Sequence, residues 1–514
     1  MKTVKLSKYD RIFIIYLIIL STVLSSTFFY NHIWADEGTH LLLAVFYKDI
    51  LSYALQTHTL SFHQLYNYGI NYLVSYPKLQ IAYTPLFHIT TSLAFFVFGA
   101  SEFAGRFVNL IYTIGSFSIF YLLVKRFFDQ KTAFISALLF SLSPISLIYG
   151  SRAMMDFTSI FWLLASLYVF SLAEKNNKLK YYATAGFFAF LSALGKQMGA
   201  IVLLFFAVMI LKNPFKKVNW NLGNFKKLFI LFLTFSMFFL PYLYLMNLVG
   251  GLKLNELVAI DYASEQGEPT SILDYGFWLF YISKPITLSP AMPILLVSLF
   301  FYCYKKNSHS KPLLLFFLIF YICLTLIPNK ELRFSQFFML PAYVAASHYL
   351  NKTKKYFAII LILCYVLVSY FVFVPSIVSY PTNQIADFIY QNNKQGGNVA
   401  FFSDNEPLYS SSVMWYVRTM DESRGIRFYR SCVFDQKNET EILSIMKDNN
   451  IYFVIYSSWS ENKNIDKIKD KLDLKLEVGG SEYKTLIYTF KDFEYKKTDK
   501  CNFICLTKEV ICTV

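Results

Sequence analysis

Long apolar runs, separated by short lysine-bearing loops, fill the first three quarters of the chain. Runs of span length fall near 12–30, 106–124, 132–149, 157–173, 181–195, 198–211, 228–249, 286–304, 312–328, 334–350 and 356–374. A helix of roughly 20 predominantly apolar residues crosses a bilayer, so these eleven runs read as membrane spans. The run 81–98 is apolar enough to be a twelfth. Beyond residue 376 the pattern changes: Asp, Glu, Lys and Asn recur throughout, and no apolar run reaches span length.

Loop charge decides between eleven and twelve. With 81–98 not crossing, the N-terminal Lys2, Lys5, Lys8 and Arg11 lie inside. So do Lys125, Arg126 and Lys131; Lys175, Lys178 and Lys180; Lys212, Lys216, Lys217, Lys226 and Lys227; Lys305, Lys306 and Lys311; and Lys352, Lys354 and Lys355. This is the distribution that the bias of Lys and Arg toward cytoplasmic loops demands. A crossing at 81–98 would invert every later loop. That run, with Pro85 near its start and Tyr83, Thr84 and His88 around it, therefore reads as a re-entrant or surface-lying helix. The first run is read as a retained span. It is long for a signal peptide and lacks a clear small-residue cleavage site.

The expected architecture is mainly α: a polytopic membrane domain over 1–376, carrying a first outer loop at 31–105, and a soluble extracytoplasmic α/β domain over 377–514. The protein would sit in the plasma membrane with its N-terminus cytoplasmic. In the tail, Asn398–Phe402, Ile451–Tyr456 and Thr485–Phe490 read as strands, and Ser411–Thr419 and Thr440–Asp448 as helices. Asp404, Glu406, Trp415 and Arg418 are candidate exposed tail residues, and Asn438-Glu439-Thr440 is a glycosylation sequon. The tail fits either an acceptor-binding or cavity-covering role, or that of a structural cap.

Composition sharpens this picture. The chain is 55% hydrophobic and carries a formal net charge of +15. Because much of that excess sits in the short loops, it speaks for membrane orientation and not for nucleic-acid binding. Of the seven cysteines, four lie in the tail, as free thiols or in one or two disulfides; no CxxC pair occurs.

Both signs of charge collect on the outer face. Asp36 and Glu37 follow the first span, and an amphipathic stretch with Leu43, Phe46, Ile50 and Tyr53 at helical spacing follows them. That stretch is expected in the membrane interface. Arg152 and Asp156 are four residues apart in the second outer loop; Lys196 marks a helix break; Lys330, Glu331 and Arg333 follow Pro328. Singly, each group could cap or snorkel at a span end. Charges bordering hydrocarbon otherwise pair or line a wet cavity, and their common side points to a shared one. A carboxylate there can serve as general base, and Arg and Lys can neutralise a departing phosphate. Asp36 and His40 stand at i,i+4, but two ligands leave a metal site incomplete, so the outer histidines read as interface residues.

These residues resemble the GT-C-fold glycosyltransferases, in particular the branch of protein O-mannosyltransferases and lipid A aminoarabinose transferases. Asp36-Glu37 is similar to the family's acidic signature. Tyr83-Thr84-Pro85-Leu86 with Phe98–Arg106 is similar to its proline motif and following helix start. Ser143-Pro144, Ser151-Arg152-Ala153 and Asp156 resemble its second-loop motif, and Gly195-Lys196 also fits. Asn329-Lys330-Glu331-Leu332-Arg333-Phe334 resembles a His-Lys-Glu-x-Arg-Phe motif, with Asn329 in place of His.

The resemblance, over about residues 10–350, implies an inverting hexosyl- or pentosyltransferase. Its donor would be a sugar on a polyprenyl phosphate (dolichyl or undecaprenyl), and its acceptor a hydroxyl or amine of protein, lipid or glycan. Asp36 would be the base, supported by Glu37. Lys78, Arg152, Lys330 and Arg333 would hold the donor phosphate. Asp156, Glu331, His40, Tyr83 and Lys196 would support them or meet the acceptor. A divalent metal is compatible with such a site but not indicated by the sequence, and no GxxxxGK[ST] nucleotide loop occurs. The alternative is a transporter or flippase for a lipid-linked glycan, which should hold its charges nearer the bilayer midplane; a third is a binding or scaffold subunit.

Overall fold

The computed structural model describes residues 6–490 apart from 30–32, 34, 59–60, 76–82, 212–221, 249–273, 284–290, 306–308, 328–329, 375–381, 394–396, 403–409, 421–425, 427, 430, 435–436, 458–462 and 480–483. The helices α1 (Lys8–Ser26), α2 (Ala35–Thr57), α3 (Phe62–Ser75), α4 (Leu86–Phe98), α5 (Glu102–Phe127), α6 (Gln130–Ser141), α7 (Pro144–Gly150), α8 (Asp156–Asn176), α9 (Leu179–Gly195), α10 (Val202–Leu211) and α11 (Leu222–Leu248) lead the chain. The later apolar helices are Tyr275–Ser283, Met292–Tyr304, Ser310–Thr325, Ser335–Lys352 and Lys355–Phe373. The chain forms two compact units: Met1–Phe29, Ala82–Phe87 and Arg106–Ile377 make the first, and Tyr30–Ile81, His88–Gly105 and Val378–Val514 the second. The sequence had suggested a single boundary at 376. The difference is that the first-loop helices α2 and α3 group with the tail.

The first unit is helical. Among the described residues, five of the chain's helices are long and apolar enough to cross a membrane, or six if α6 and α7 form one broken span. Several further apolar helices are shorter. Span 132–149 was expected to be continuous but bends by 64°. Ser143 caps α7 by accepting the Ser146 N–H, and Pro144 follows at the first helical position. Proline supplies no N–H to an upstream carbonyl, which ends α6 there. In α11 only 11% of the most apolar window is buried, against 61% in α8. Leu233, Met237 and Leu240 point outward, so α11 presents an apolar side suited to hydrocarbon.

Small residues bring α8 and α9 together. Ser159 Oγ donates to the Ser192 carbonyl at 2.9 Å and Ser166 Oγ to that of Ala185 at 2.8 Å. A Cβ on Gly195 would come within 2.8 Å of the Ser159 nitrogen, so the close approach requires glycine there. At the other end of the bundle, a capping box joins Ser7 and Asp10. Asp10 also accepts from Lys125 Nζ at 2.5 Å and Tyr121 Oη at 2.8 Å, tying α1 to α5.

The second unit contains a five-stranded sheet in the order β2-β1-β3-β5-β4. Its strands are β1 (Asn398–Phe401), β2 (Phe428–Tyr429), β3 (Ile451–Ser457), β4 (Leu472–Gly479) and β5 (Lys484–Phe490). β1 runs parallel to β2 and β3; β5 runs antiparallel to β3 and β4. The central β3 buries Phe453, Val454 and Ile455 in succession, as a strand covered on both faces must. The helix Glu439–Asp448 seats Ile442 and Met446 in the same core as Ala400, Val454 and Tyr488. Of the amphipathic stretch in α2, Leu43 and Phe46 are buried while Ile50 and Tyr53 are half-buried. Leu41 to Val45 are buried within this unit, where α2 packs on the helix Ser410–Met420.

Candidate active site

In the first unit, three separated stretches converge on one charged cluster. Asp156 opens α8 and is fully buried. Lys196, at the break after α9, donates to Asp156 Oδ1 at 2.7 Å. Arg333, from the turn Leu332–Phe334, lies 3.9 Å from Asp156 Oδ2 and pairs through Nε with Glu331. At 3.9 Å the Arg333–Asp156 contact is Coulombic and not a hydrogen bond. Aromatic rings wall the cluster. The Arg333 guanidinium stands 5.6 Å from the Tyr149 ring centre, and Lys196 Nζ 4.4 Å from that of Phe334.

The Tyr149 hydroxyl lies within electrostatic reach of Arg333, Glu331, Asp156 and Arg152, so all four share this neighbourhood. Arg152 is buried, and its loop is pinned by Asn109, whose Nδ2 donates to the Tyr149 carbonyl at 2.8 Å and the Arg152 carbonyl at 2.6 Å. Burial pushes the Lys196 ammonium below its ordinary range, and the adjacent Asp156 carboxylate pulls it partly back. An arginine and a lysine held on aromatic faces out of bulk water make a strong anion-holding surface.

Lys330 is placed differently from its neighbours in sequence. Its Nζ donates to the carbonyls of Thr325 at 2.5 Å and Ile327 at 3.2 Å, and stands 3.5 Å from the Phe277 ring centre. It thereby caps the C-terminus of the helix Ser310–Thr325, where carbonyls lack intrahelical donors. Tyr83 is half-buried, and its neighbour Thr84 donates to the Gly195 carbonyl at 2.9 Å, linking the proline motif to the helix break beside Lys196. Lys78 and Asn329 lie outside the described residues, as do Asp404 and Glu406.

In the second unit, Asp36 and Glu37 occupy the first turn of α2. The partial positive charge of a helix N-terminus favours two carboxylates there. Glu37 is fully buried and Asp36 half-buried, so Asp36 is the more accessible of the two. His40, one turn on, is not an interface residue: it is buried, and its Nδ1 lies 3.0 Å from Nε2 of the buried His88. Trp415 and Arg418, expected exposed, are buried as well. Trp415 stacks on Phe95 at 5.8 Å, and Arg418 Nη2 donates to Asp49 Oδ2 at 2.6 Å. Their apolar stem and ring bury area against α2 and α4, which local sequence does not announce. Asn109, Tyr149, His88 and Asp49 went unmarked as site residues. A polar Asn within an apolar span was the available signal for the first. Among the described residues no three His, Cys, Asp or Glu side chains gather as metal ligands.

A family model described as dolichyl-phosphate-mannose-protein mannosyltransferase matches residues 82–244. Over nearly its whole length the chain is similar to the crystal structure of ArnT from Cupriavidus metallidurans bound to undecaprenyl phosphate. The TM-score is 0.60 at 9% identity, covering 92% of this chain and 97% of that one. This is a GT-C-fold membrane protein. The chain is also similar in fold to the archaeal oligosaccharyltransferase AglB from Archaeoglobus fulgidus, in complex with an inhibitory peptide and a dolichol-phosphate. That match has a TM-score of 0.52 at 12% identity and covers 94% of this chain and 75% of that one. In sequence, the chain is 25% identical over 188 residues to the undecaprenyl phosphate-alpha-4-amino-4-deoxy-L-arabinose arabinosyl transferase of Wigglesworthia glossinidia brevipalpis. That match takes in 35% of this chain and 30% of the relative. The resemblance to protein O-mannosyltransferases and aminoarabinose transferases thus stands on motifs, family model and fold together.

Proposed function

We propose that this GT-C-fold protein is an inverting glycosyltransferase. It moves a sugar from a polyprenyl-phosphate carrier to an acceptor hydroxyl or amine at the outer face of the plasma membrane. The observation that carries this reading is the buried cluster of Arg152, Asp156, Lys196 and Arg333 around Tyr149, in a helical membrane unit. Such a cluster suits the phosphate of a lipid carrier: as the bond from the sugar C1 to the phosphate oxygen breaks, the electron pair leaves on the phosphate, and fixed cations stabilise it. The acceptor oxygen or nitrogen bonds to C1 from the opposite side, which inverts the anomeric centre. Its proton passes to Asp36, late in the reaction, because a hydroxyl is far less acidic than a carboxylic acid until C1 becomes cationic.

Glu37 supports the base from within the same helical turn, Lys78 joins the phosphate holders, and Lys330, bonded to the Thr325 and Ile327 carbonyls, anchors the segment that leads to Glu331 and Arg333. The eleven-span topology, with the N-terminus cytoplasmic and the tail outside, belongs to the same proposal. Sugar and acceptor are assigned by experiment. Full-length protein in nanodiscs is given undecaprenyl-phosphate-linked pentoses and hexoses with membrane extracts as acceptor, and release of undecaprenyl phosphate is followed. Asp36→Asn is expected to lower turnover by about 10²–10⁴-fold while undecaprenyl phosphate still binds. Wild-type turnover in Asp36→Asn would sink the assignment.

A further inference from the structure

In the second unit, the helix that carries the acidic doublet is held at two points by tail residues close to four hundred positions later in sequence. The first point is at Gly38, in the turn that contains Asp36 and Glu37. A Cβ on Gly38 would lie 2.8 Å from both Cα and N of Ser412, so backbone meets backbone there. The second is Asp49, which accepts from Arg418 Nη2 at 2.6 Å and from Tyr72 Oη at 2.9 Å. Asp49 and Arg418 are both buried. Gly38 and Asp49 are about three helical turns apart, so they share a face of α2 some 16 Å long. Between them, Trp415 from the same tail helix stacks on Phe95 of α4.

We propose that the tail helix Ser410–Met420 is the positioning element for the acidic doublet. Its contacts with Gly38 and Asp49 fix the rotation and the axial position of α2, so that Asp36 meets the substrate in one orientation. One contact would leave a helix free to turn about its axis, and a slip of one residue would rotate Asp36 by about 100°. Two contacts a full face apart allow neither motion. Arg418, Asp49, Tyr72 and Gly38 are then positioning residues: they act on the reaction through Asp36. This rests on the reading of Asp36 as the base.

The test uses full-length protein in nanodiscs, with an undecaprenyl-phosphate-linked sugar that the wild-type protein consumes, and kcat per folded molecule as the readout. Arg418→Gln is expected to lower kcat by about tenfold to a hundredfold, the scale of a misplacement near 1 Å. KM for the donor should stay within about twofold, because the carrier is held elsewhere. Arg418→Lys, which keeps one charged donor, should recover part of the loss. Tyr72→Phe and Gly38→Ala should each lower kcat, and they decide the matter if Arg418→Gln does not fold. Asp36→Asn is assayed alongside. If it is inactive while Arg418→Gln, Tyr72→Phe and Gly38→Ala turn over at the wild-type rate, positioning by the tail is overturned and the base assignment stands. If Asp36→Asn is fully active, the base assignment fails, and with it the proposal.

Discussion

Asp156 in the helical unit and Asp49 in the second unit are both buried carboxylates beside an arginine, yet their surroundings differ. Asp156 is shared between Lys196 and Arg333, and Arg333 has a second carboxylate in Glu331. Asp49 meets Arg418 at hydrogen-bond distance with Tyr72 on the same oxygen, and Lys48 Nζ stands 3.9 Å from its other oxygen, so the difference lies in the second carboxylate that Arg333 pairs with. A shared network can redistribute when an anion enters, because its arginine is not committed to one acceptor. A carboxylate that takes a guanidinium and a phenol on one oxygen, both at hydrogen-bond distance, holds those two groups in place. The first plan suits a site that takes and releases a phosphate; the second suits a fastening.

The comparison breaks most visibly at Asp49. Asp49→Asn leaves Arg418 buried opposite a neutral group, and a guanidinium cannot shed its proton to escape. Stranding one member of a buried pair costs about 3–5 kcal/mol, which thermal unfolding in detergent would register. Replacing both partners, as in Asp49→Leu with Arg418→Met, should recover most of that loss.

Asp156→Asn is expected to cost less, about 2–3 kcal/mol, since Arg333 keeps Glu331 and Lys196 has an exit. Burial already lowers the Lys196 ammonium from its ordinary 10.5, so without Asp156 it neutralises more readily. The sign follows. Between the lowered folded value and 10.5, the unfolded chain binds more protons than the folded one, so stability rises with pH. The deficit of Asp156→Asn should therefore shrink as pH is raised, while that of Asp49→Asn should not. Unfolding profiles of the two variants that run parallel with pH would remove the distinction between the two carboxylates.

How much of this was legible depended on the range of each signal. The apolar runs gave the helices, and β1, β3 and β5 showed as short apolar stretches near Phe401, Val454 and Ile487. β4 alternates Leu472, Leu474 and Leu476 with Asp473, Lys475 and Glu477, a period-two pattern that its many charges obscured. β2 spans two residues and has no pattern to read. Asp156 and Arg152 were visible because two opposite charges at a span end are costly. The partners of Asp49 were not, because Arg418 lies 369 positions away and looks like any tail arginine until the fold buries it. The grouping of α2 with the tail was hidden for the same reason: only Gly38 hinted at it, and glycine marks a close approach without naming what approaches.

The smallest effect serves as a control on both sites. The sequon asparagine Asn438 is the N-cap of the helix Glu439–Asp448: its side-chain oxygen accepts from Glu441 N–H at 2.9 Å, and Glu441 returns a bond to the Asn438 N–H at 2.9 Å. Asn438→Ala removes half of this box and should cost about 1 kcal/mol. The helix sits on the sheet core through Ile442 and Met446, whereas the residues that meet Gly38 and Asp49 belong to a different helix, Ser410–Met420. Hydrogen exchange should therefore rise in Glu439–Asp448 while the amides of Asp36–Asp49 keep their protection, and turnover per folded molecule should stay at the wild-type value. If this cap variant slowed turnover as Arg418→Gln is expected to, loss of tail stability in general would account for both, and the specific grip of Ser412 and Arg418 on α2 would not be needed.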